Sequence, residues 1–202
     1  MMPLLLLDRD GVLNEMVVDE EHGTVDSPMN VDQVKIIKGV PAALFKLQEM
    51  GFGLTIVTNQ PAAAKKKTTM KNLEAVHSKI VGLVELEGAK ILSSHICYHT
   101  SEMGCNCRKP KTGLLEQAFE ANSSDLTEVA QAKARSLMVG DGMTDVLAGV
   151  RMGVKTAFLG PKKCDHCKVF ENLQVKPDFW VSSLVELAKI MGSMNSDRLL
   201  TK

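Results

Sequence analysis

Four leucines in a row, Leu4–Leu7, stop abruptly at Asp8-Arg9-Asp10-Gly11-Val12-Leu13-Asn14. A short, wholly apolar run suits a strand covered on both faces, as in a parallel sheet sandwiched between helices. Asp8 then stands at the carboxyl end of that strand, where open α/β sheets bind ligands. Asp8 and Asp10, two apart on an extended chain, are expected to point the same way, with Arg9 opposite. Gly11 lets the chain turn. Two carboxylates forced together call for a cation, most simply Mg²⁺ with its preference for oxygen ligands. Taken alone, the same residues also read as an exposed Asp-Gly turn.

The pattern of an apolar strand emptying into polar residues repeats along the chain. After a polar, irregular excursion over residues 15–34, expected to pass above the strand ends, Val40-Pro41 opens a helix carrying Ala43, Leu44, Leu47 and Met50, and Gly51 ends it. A strand over 52–57 empties into Thr58-Asn59-Gln60, so Thr58 takes the topological place of Asp8. A hydroxyl there can cap the strand end or hold a phosphoryl oxygen. Lys65, Lys66 and Lys67 read as a solvated helix start or as an anion lure. Thr68 or Thr69 caps a helix running to about Leu86, with His77 on it as a surface or satisfied core residue. Further strands are predicted over 91–97, 136–139, 155–159 and 177–181, with helices between them, one of them capped by Thr112. A helix over 184–191 closes the fold and a frayed tail is expected over 195–202. Strand-helix alternation of this kind implies a Rossmann-like α/β sheet, parallel, with helices on both faces. The whole of 1–202 reads as a single domain without a linker.

Between two of these strands lies Cys97-Tyr98-His99, followed by Cys105-Asn106-Cys107. Three thiols and an imidazole at this spacing suit tetrahedral Zn²⁺ with no open position, hence a structural loop over about 97–107; the alternative reading is a reduced or oxidised set of loop thiols. Arg108 and Lys109 follow directly, so closing the loop aims both cations at one place, where they would serve a phosphoryl group. The strand over 136–139 ends in Gly140-Asp141-Gly142-Met143-Thr144-Asp145. Asp141 is placed to join Asp8 at a metal, and Asp145 to sit in the first turn of a helix. Cys164-Asp165-His166-Cys167 is a Cys-x-x-Cys without a second pair downstream, and is expected to be a reduced surface loop rather than a second zinc site or a redox pair.

Composition removes several classes. With 24 basic and 24 acidic residues the chain has no net charge, so nucleic acid is not the expected partner. No apolar run approaches the ~18 residues a membrane span needs. Met1 to Leu7 is too short for a secretory signal and lacks a cationic start. Five cysteines clustered in two places fit metal ligation in a reducing cytoplasm better than a disulfide framework. A monomer is expected.

Asp-x-Asp-Gly, Thr-Asn-Gln, Arg-Lys-Pro and Gly-Asp-x-x-x-Asp stand in this order at four strand ends, and together they resemble the haloacid dehalogenase (HAD) phosphatase superfamily. Asp8-Arg9-Asp10-Gly11 with Asn14, the Thr58-Asn59-Gln60 run and Cys-x-His…Cys-x-Cys-Arg-Lys-Pro resemble a narrower branch, the histidinol-phosphate and D-glycero-D-manno-heptose-1,7-bisphosphate phosphatases, which carry a zinc loop and lack a large cap domain. The resemblance implies that Asp8 is the nucleophile forming an aspartyl-phosphate and Asp10 the general acid and base. Thr58 then binds the phosphoryl group with Asn59 nearby, Lys109 neutralises it, and Arg108 contacts substrate. Asp8, the carbonyl of Asp10 and Asp141 hold Mg²⁺, with Asp145 behind them or as an alternate ligand. Cys97, His99, Cys105 and Cys107 match the zinc ligands. The implied substrate is a small phosphorylated metabolite, first the heptose bisphosphate and second histidinol phosphate. A nucleic-acid 3′-end phosphatase and a non-catalytic zinc-stabilised binding module are the alternatives of other classes. Pro61-Ala62-Ala63-Ala64-Lys65 and Tyr98 depart from the heptose enzymes' pattern on the substrate side.

Overall fold

The computed structural model describes residues 1–200 other than His22 and Lys162. In chain order the elements are β1 (Leu4–Leu7), β2 (Val17–Asp19), β3 (Thr24–Asp26), α1 (Val40–Glu49), β4 (Gly53–Asn59), α2 (Met70–Val84), β5 (Ile91–Cys97), α3 (Gly113–Glu120), α4 (Leu126–Lys133), β6 (Leu137–Gly140), α5 (Met143–Met152), β7 (Lys155–Leu159), α6 (Cys164–Asn172), β8 (Phe179–Val181) and α7 (Leu184–Leu200), with 3₁₀ turns at Val31–Gln33 and Ser101–Met103.

Six of the strands form one sheet in the order β5-β4-β1-β6-β7-β8, and every pairing in it is parallel. The leucine run is its centre, and all four side chains are fully buried. Because a strand alternates its faces, Leu5 and Leu7 enter the core shared with Leu44, Leu47, Val76, Ile80 and Leu187, under α1, α2 and α7. Leu4 and Leu6 enter the opposite core with Leu114, Leu115, Phe119 and Ala148, under α3 and α5. Burying each leucine contributes roughly 1.5–3 kcal/mol, so β1 ties both layers to one strand.

The chain adds β4 and β5 on one side of β1, then returns to add β6, β7 and β8 on the other. Between β1 and β6 the winding therefore reverses, and a crevice opens beyond the carboxyl ends of those two strands. Asp8 and Asp141 follow them. The fold thus delivers both acids to the place where sheets of this kind bind ligands.

Several expectations change. Residues 15–34 are not wholly irregular: Val17-Val18 and Thr24-Val25 pair antiparallel, Val18 opposite Val25, into a hairpin, and their β-branched side chains carried that signal. Lys67 pairs with Asp26 of this hairpin, and Lys65–Lys67 lie in a turn ahead of α2 rather than at its start. Thr69 caps α2 by accepting the Asn72 N–H at 3.2 Å. Thr112 does not cap α3 with its side chain, because its hydroxyl donates to Glu116 Oε1 at 2.7 Å. The Cys164–Cys167 segment is the first turn of α6 rather than a loop, with Cys167 exposed and the side chain of Cys164 outside the described part. The backbone of α7 stays helical through Leu200; residues 201 and 202 of the expected tail lie outside the described residues. No helix among the described residues is long and apolar enough to cross a membrane.

Candidate active site

Lys109 organises the crevice. Its side chain is 2% exposed, and an ammonium can be buried so deeply only if its charge is matched. Its Nζ donates to the Val57 carbonyl at the end of β4 (2.7 Å) and forms ion pairs with Asp8 Oδ1 (2.9 Å) and Asp145 Oδ1 (2.6 Å). Burial alone would depress Lys109, but Asp145 and Asp8 outweigh it and hold the ammonium above the ordinary lysine range. Asp145 also accepts the Gly142 N–H at 3.0 Å, so the expected helix-terminal acid serves α5 and the lysine at once. Burial pushes Asp145 up to about 6 against the pull of Lys109.

Asp8, Asp141 and Asp145 each place a carboxylate oxygen within 4.8 Å of the others. Three acids so close repel unless a cation joins them. Burial of the Asp141 carboxyl, followed by the charges of Asp8 and Asp145, pushes it up to about 7. Two glycines make the approach possible. A Cβ on Gly11, whose φ is +77°, would sit 1.9 Å from Asp141 Oδ2, and one on Gly140 would sit 2.2 Å from Asp145. Oxygen donors, excess negative charge and close spacing fit Mg²⁺.

The Arg9 side chain departs from expectation. The chain leaves extended geometry directly after Asp8, since the Arg9 carbonyl accepts the Leu13 N–H at 2.8 Å, and the alternation of faces no longer applies. Arg9 therefore does not point away. Fully buried, it folds onto the Asp10 carboxylate through Nε and Nη2 at 3.1–3.3 Å. Asn14 Nδ2 donates to the same carboxylate at 2.9 Å and Gln60 Nε2 at 2.5 Å. The acidic cluster is completed by Asp145, while the Asp10 side chain is neutralised by Arg9. His77 of α2 lies near this pair. Burial first, then the Arg9 charge, lowers it to about 4, and its Nδ1 is buried without a hydrogen-bond partner.

Thr58 is buried and its hydroxyl accepts from Gln60 Nε2 at 3.0 Å. Asn59 does not reach toward a ligand. Its Nδ2 donates to the Lys109 carbonyl and its Oδ1 accepts the Lys109 N–H, both at 3.1 Å. Arg108 donates to the His99 carbonyl at 3.1 Å. Arg9, Asn14 and Gln60 are thus members of the site that the motifs contained but the sequence did not single out. Their adjacency to Asp8, Asp10 and Thr58 was the available signal.

Beside Lys109 the Cys97, His99, Cys105 and Cys107 ligand atoms lie within 4.8 Å of one another. The Cys107 Sγ is 3.2 Å from Cys97 Sγ, 3.4 Å from Cys105 Sγ and 3.3 Å from His99 Nδ1, and Cys97 is 3.6 Å from His99 and 3.7 Å from Cys105. Thiolates ~2.3 Å from a shared tetrahedral centre stand about 3.8 Å apart, so the four residues fit Zn²⁺. Without a cation their charges conflict. Burial pushes the Cys97 thiol up to about 12, whereas the Arg108 N–H and the neighbouring thiols overcome burial and draw Cys105 down to about 6.

A parallel sheet with acids at its switch point and a lysine buried between them suits phosphoryl-transfer chemistry of the kind HAD hydrolases carry out. The HAD-hydrolase-like family profile matches residues 106–187. The D-glycero-β-D-manno-heptose-1,7-bisphosphate 7-phosphatase of Neisseria meningitidis is 30% identical over 184 residues, 85% of this chain and 91% of that protein. The histidine biosynthesis bifunctional protein HisB of Legionella pneumophila is 38% identical over 76% of this chain, which spans 40% of that longer protein. Among solved structures, the D,D-heptose 1,7-bisphosphate phosphatase of B. bronchiseptica, complexed with magnesium and phosphate, superposes with a TM-score of 0.75 at 23% identity, covering 96% of this chain and 99% of that one. The chain belongs to the HAD-like phosphatases, in the family of the heptose-bisphosphate phosphatases.

Proposed function

We propose that this chain is a Mg²⁺-dependent phosphomonoesterase that removes phosphate from a small phosphorylated sugar in the cytoplasm, with D-glycero-D-manno-heptose 1,7-bisphosphate as the leading substrate. The observation that carries the reading is the buried Lys109 ammonium held between Asp8 and Asp145, with Asp141 beside them. Asp8 presents a carboxylate fixed by Lys109 and by its own backbone, the Asp8 N–H bonding the Val139 carbonyl at 2.9 Å. Such an oxygen is poised to attack phosphorus and form an aspartyl-phosphate as the ester oxygen departs. Lys109, and Thr58 through its hydroxyl, neutralise the charge that spreads over the phosphoryl oxygens. Asp10, once it has taken up a proton, would give it to the departing oxygen, and the carboxylate left, held by Arg9, Asn14 and Gln60, would afterwards take one from the water that hydrolyses the acyl phosphate. A Mg²⁺ held by Asp8 and Asp141, with Asp145 behind them, would supply Lewis-acid stabilisation of the transferring group. Zn²⁺ on Cys97, His99, Cys105 and Cys107 would hold the loop that carries Arg108 and Lys109.

The test is phosphate release from purified protein offered a panel of phosphorylated metabolites with Mg²⁺. Hydrolysis of the heptose bisphosphate well above the rest is expected. A parent enzyme inactive on every phosphomonoester, or an Asp8→Asn variant as active as the parent, overturns the assignment. Histidinol phosphate is the second reading, favoured by the higher identity to the histidine-biosynthesis protein, and preferential hydrolysis of it would replace the first.

A further inference from the structure

We infer that Gln60 is a positioning residue for the reaction, one that sets the orientation of Asp10 and Thr58 together; this rests on the phosphatase reading above. Gln60 follows the last residue of β4. Its backbone N–H donates to the Cys97 carbonyl at 2.7 Å, which extends the β4–β5 ladder by one rung and fixes where the side chain begins. That side chain is 1% exposed. A primary amide has two N–H groups and no more, and both are spent here, one on Asp10 Oδ2 at 2.5 Å and one on Thr58 Oγ1 at 3.0 Å. The orientation of the amide follows from chemistry for the ionised Asp10 that Arg9 holds, because the amide oxygen turned toward it would face a carboxylate that only accepts. In this orientation Gln60 Oε1 is left buried without a hydrogen-bond partner.

The amide also fixes the role of Thr58. A hydroxyl carries a single proton. Because Thr58 Oγ1 accepts from Gln60, its own proton is free to be donated elsewhere. The Val57 carbonyl, Asp8 and Asp145 take the three N–H donors of the Lys109 ammonium, so the Thr58 O–H is the donor left to offer a phosphoryl oxygen, while Lys109 acts through its charge. Gln60 thus directs the hydroxyl proton toward the phosphoryl group and keeps it off Asp10. It also anchors Asp10 at Oδ2, the oxygen it shares with Arg9 Nη2, with a donor that carries no charge. Asn59 does the parallel task for Lys109 by clamping its backbone. In the Thr-Asn-Gln run, the first residue would meet substrate and the next two would aim groups that do.

The test compares Gln60→Met, which keeps the volume and deletes both donors, with Gln60→Glu, which keeps the shape and sets an acceptor against Asp10. Each is assayed with an aryl phosphate and Mg²⁺, alone and in a Thr58→Val background, and each is checked for zinc content and thermal midpoint. Misplacing reacting groups by about 1 Å costs on the order of 100-fold. Gln60→Met is therefore expected to lower kcat about 10- to 100-fold with KM changed less than threefold, and Gln60→Glu to lose at least as much. In the Thr58→Val background the further loss from Gln60→Met should shrink to a few-fold. A kcat within twofold of the parent, a loss confined to KM, or full additivity with Thr58→Val overturns the inference while leaving an active parent enzyme. A parent without phosphatase activity overturns the functional reading itself. If Gln60→Met does not fold, Gln60→Glu, which preserves every packing contact, decides on the same criteria.

Discussion

At the scale of single residues, charge matching governs the site. Replacing Lys109 with Met leaves Asp8 and Asp145 facing each other without their cation. Turnover of an aryl phosphate should fall about 100- to 1,000-fold, the loss typical of a preorganised donor, as read by steady-state kinetics. Gly11→Ala forces a methyl group into the space of Asp141 Oδ2 and strains a left-handed backbone position. It should weaken Mg²⁺ binding at least tenfold by titration calorimetry while β1 stays folded. His77 supplies a pH signature. Its folded pKa, about 4, lies below the ordinary 6.5, so between these values the unfolded chain binds more protons. The stability His77 contributes is complete above pH 6.5 and is lost as the pH falls toward 4. Asp141 and Asp145, raised to about 7 and about 6, work in the opposite sense over an overlapping range. The difference between parent and His77→Gln isolates the histidine: from pH 7 to pH 5 the parent should lose more degrees of thermal midpoint than the variant. Equal losses would show that His77 is protonated freely in the fold. Arg9 shows why residue-level reading from sequence stops short. Its neighbours and spacing were plain, but whether it faced away from Asp10 or onto it depended on where the strand ended.

At the scale of elements, the loop over 97–107 transmits position. The Cys97 carbonyl holds the Gln60 backbone, the His99 carbonyl holds Arg108, and Asn59 grips Lys109 just beyond Cys107. Cys105→Ser should therefore abolish tight zinc binding, lower the thermal midpoint by several degrees and reduce kcat at least tenfold. A variant that loses zinc but keeps full activity would show that the clamps hold the loop unaided. The grouping of Cys97, His99, Cys105 and Cys107 was legible in the sequence, because Cys-x-His and Cys-x-Cys stand within eleven residues, and the fold gathers their ligand atoms within 4.8 Å of one another. The clamps were not legible. Asn59 and Lys109 are fifty residues apart, and only the β4–β5 pairing brings them together. Thr112 makes the same point in small: its position suggested a cap, but Glu116 lies one turn along and takes the hydroxyl.

At the scale of the whole molecule, two cores share one central strand. Leu5→Ala and Leu6→Ala empty opposite faces of β1, and each should cost about 2–5 kcal/mol, measured by urea unfolding. Because β1 belongs to both cores, both variants should shift one common transition with an unchanged slope; two separate transitions would mean that the layers unfold independently. The sequence by itself determined the strand-helix alternation, the parallel sheet and the roster of chemical groups at the strand ends, since apolar runs, capping residues and metal-ligand spacings are local and survive in any arrangement of the chain. Only the tertiary structure decided which groups touch: Asp145 sharing Lys109 with Asp8, Arg9 folded onto Asp10, Asn59 turned to Lys109. Those choices depend on strand order and on where each strand stops, which no local pattern encodes.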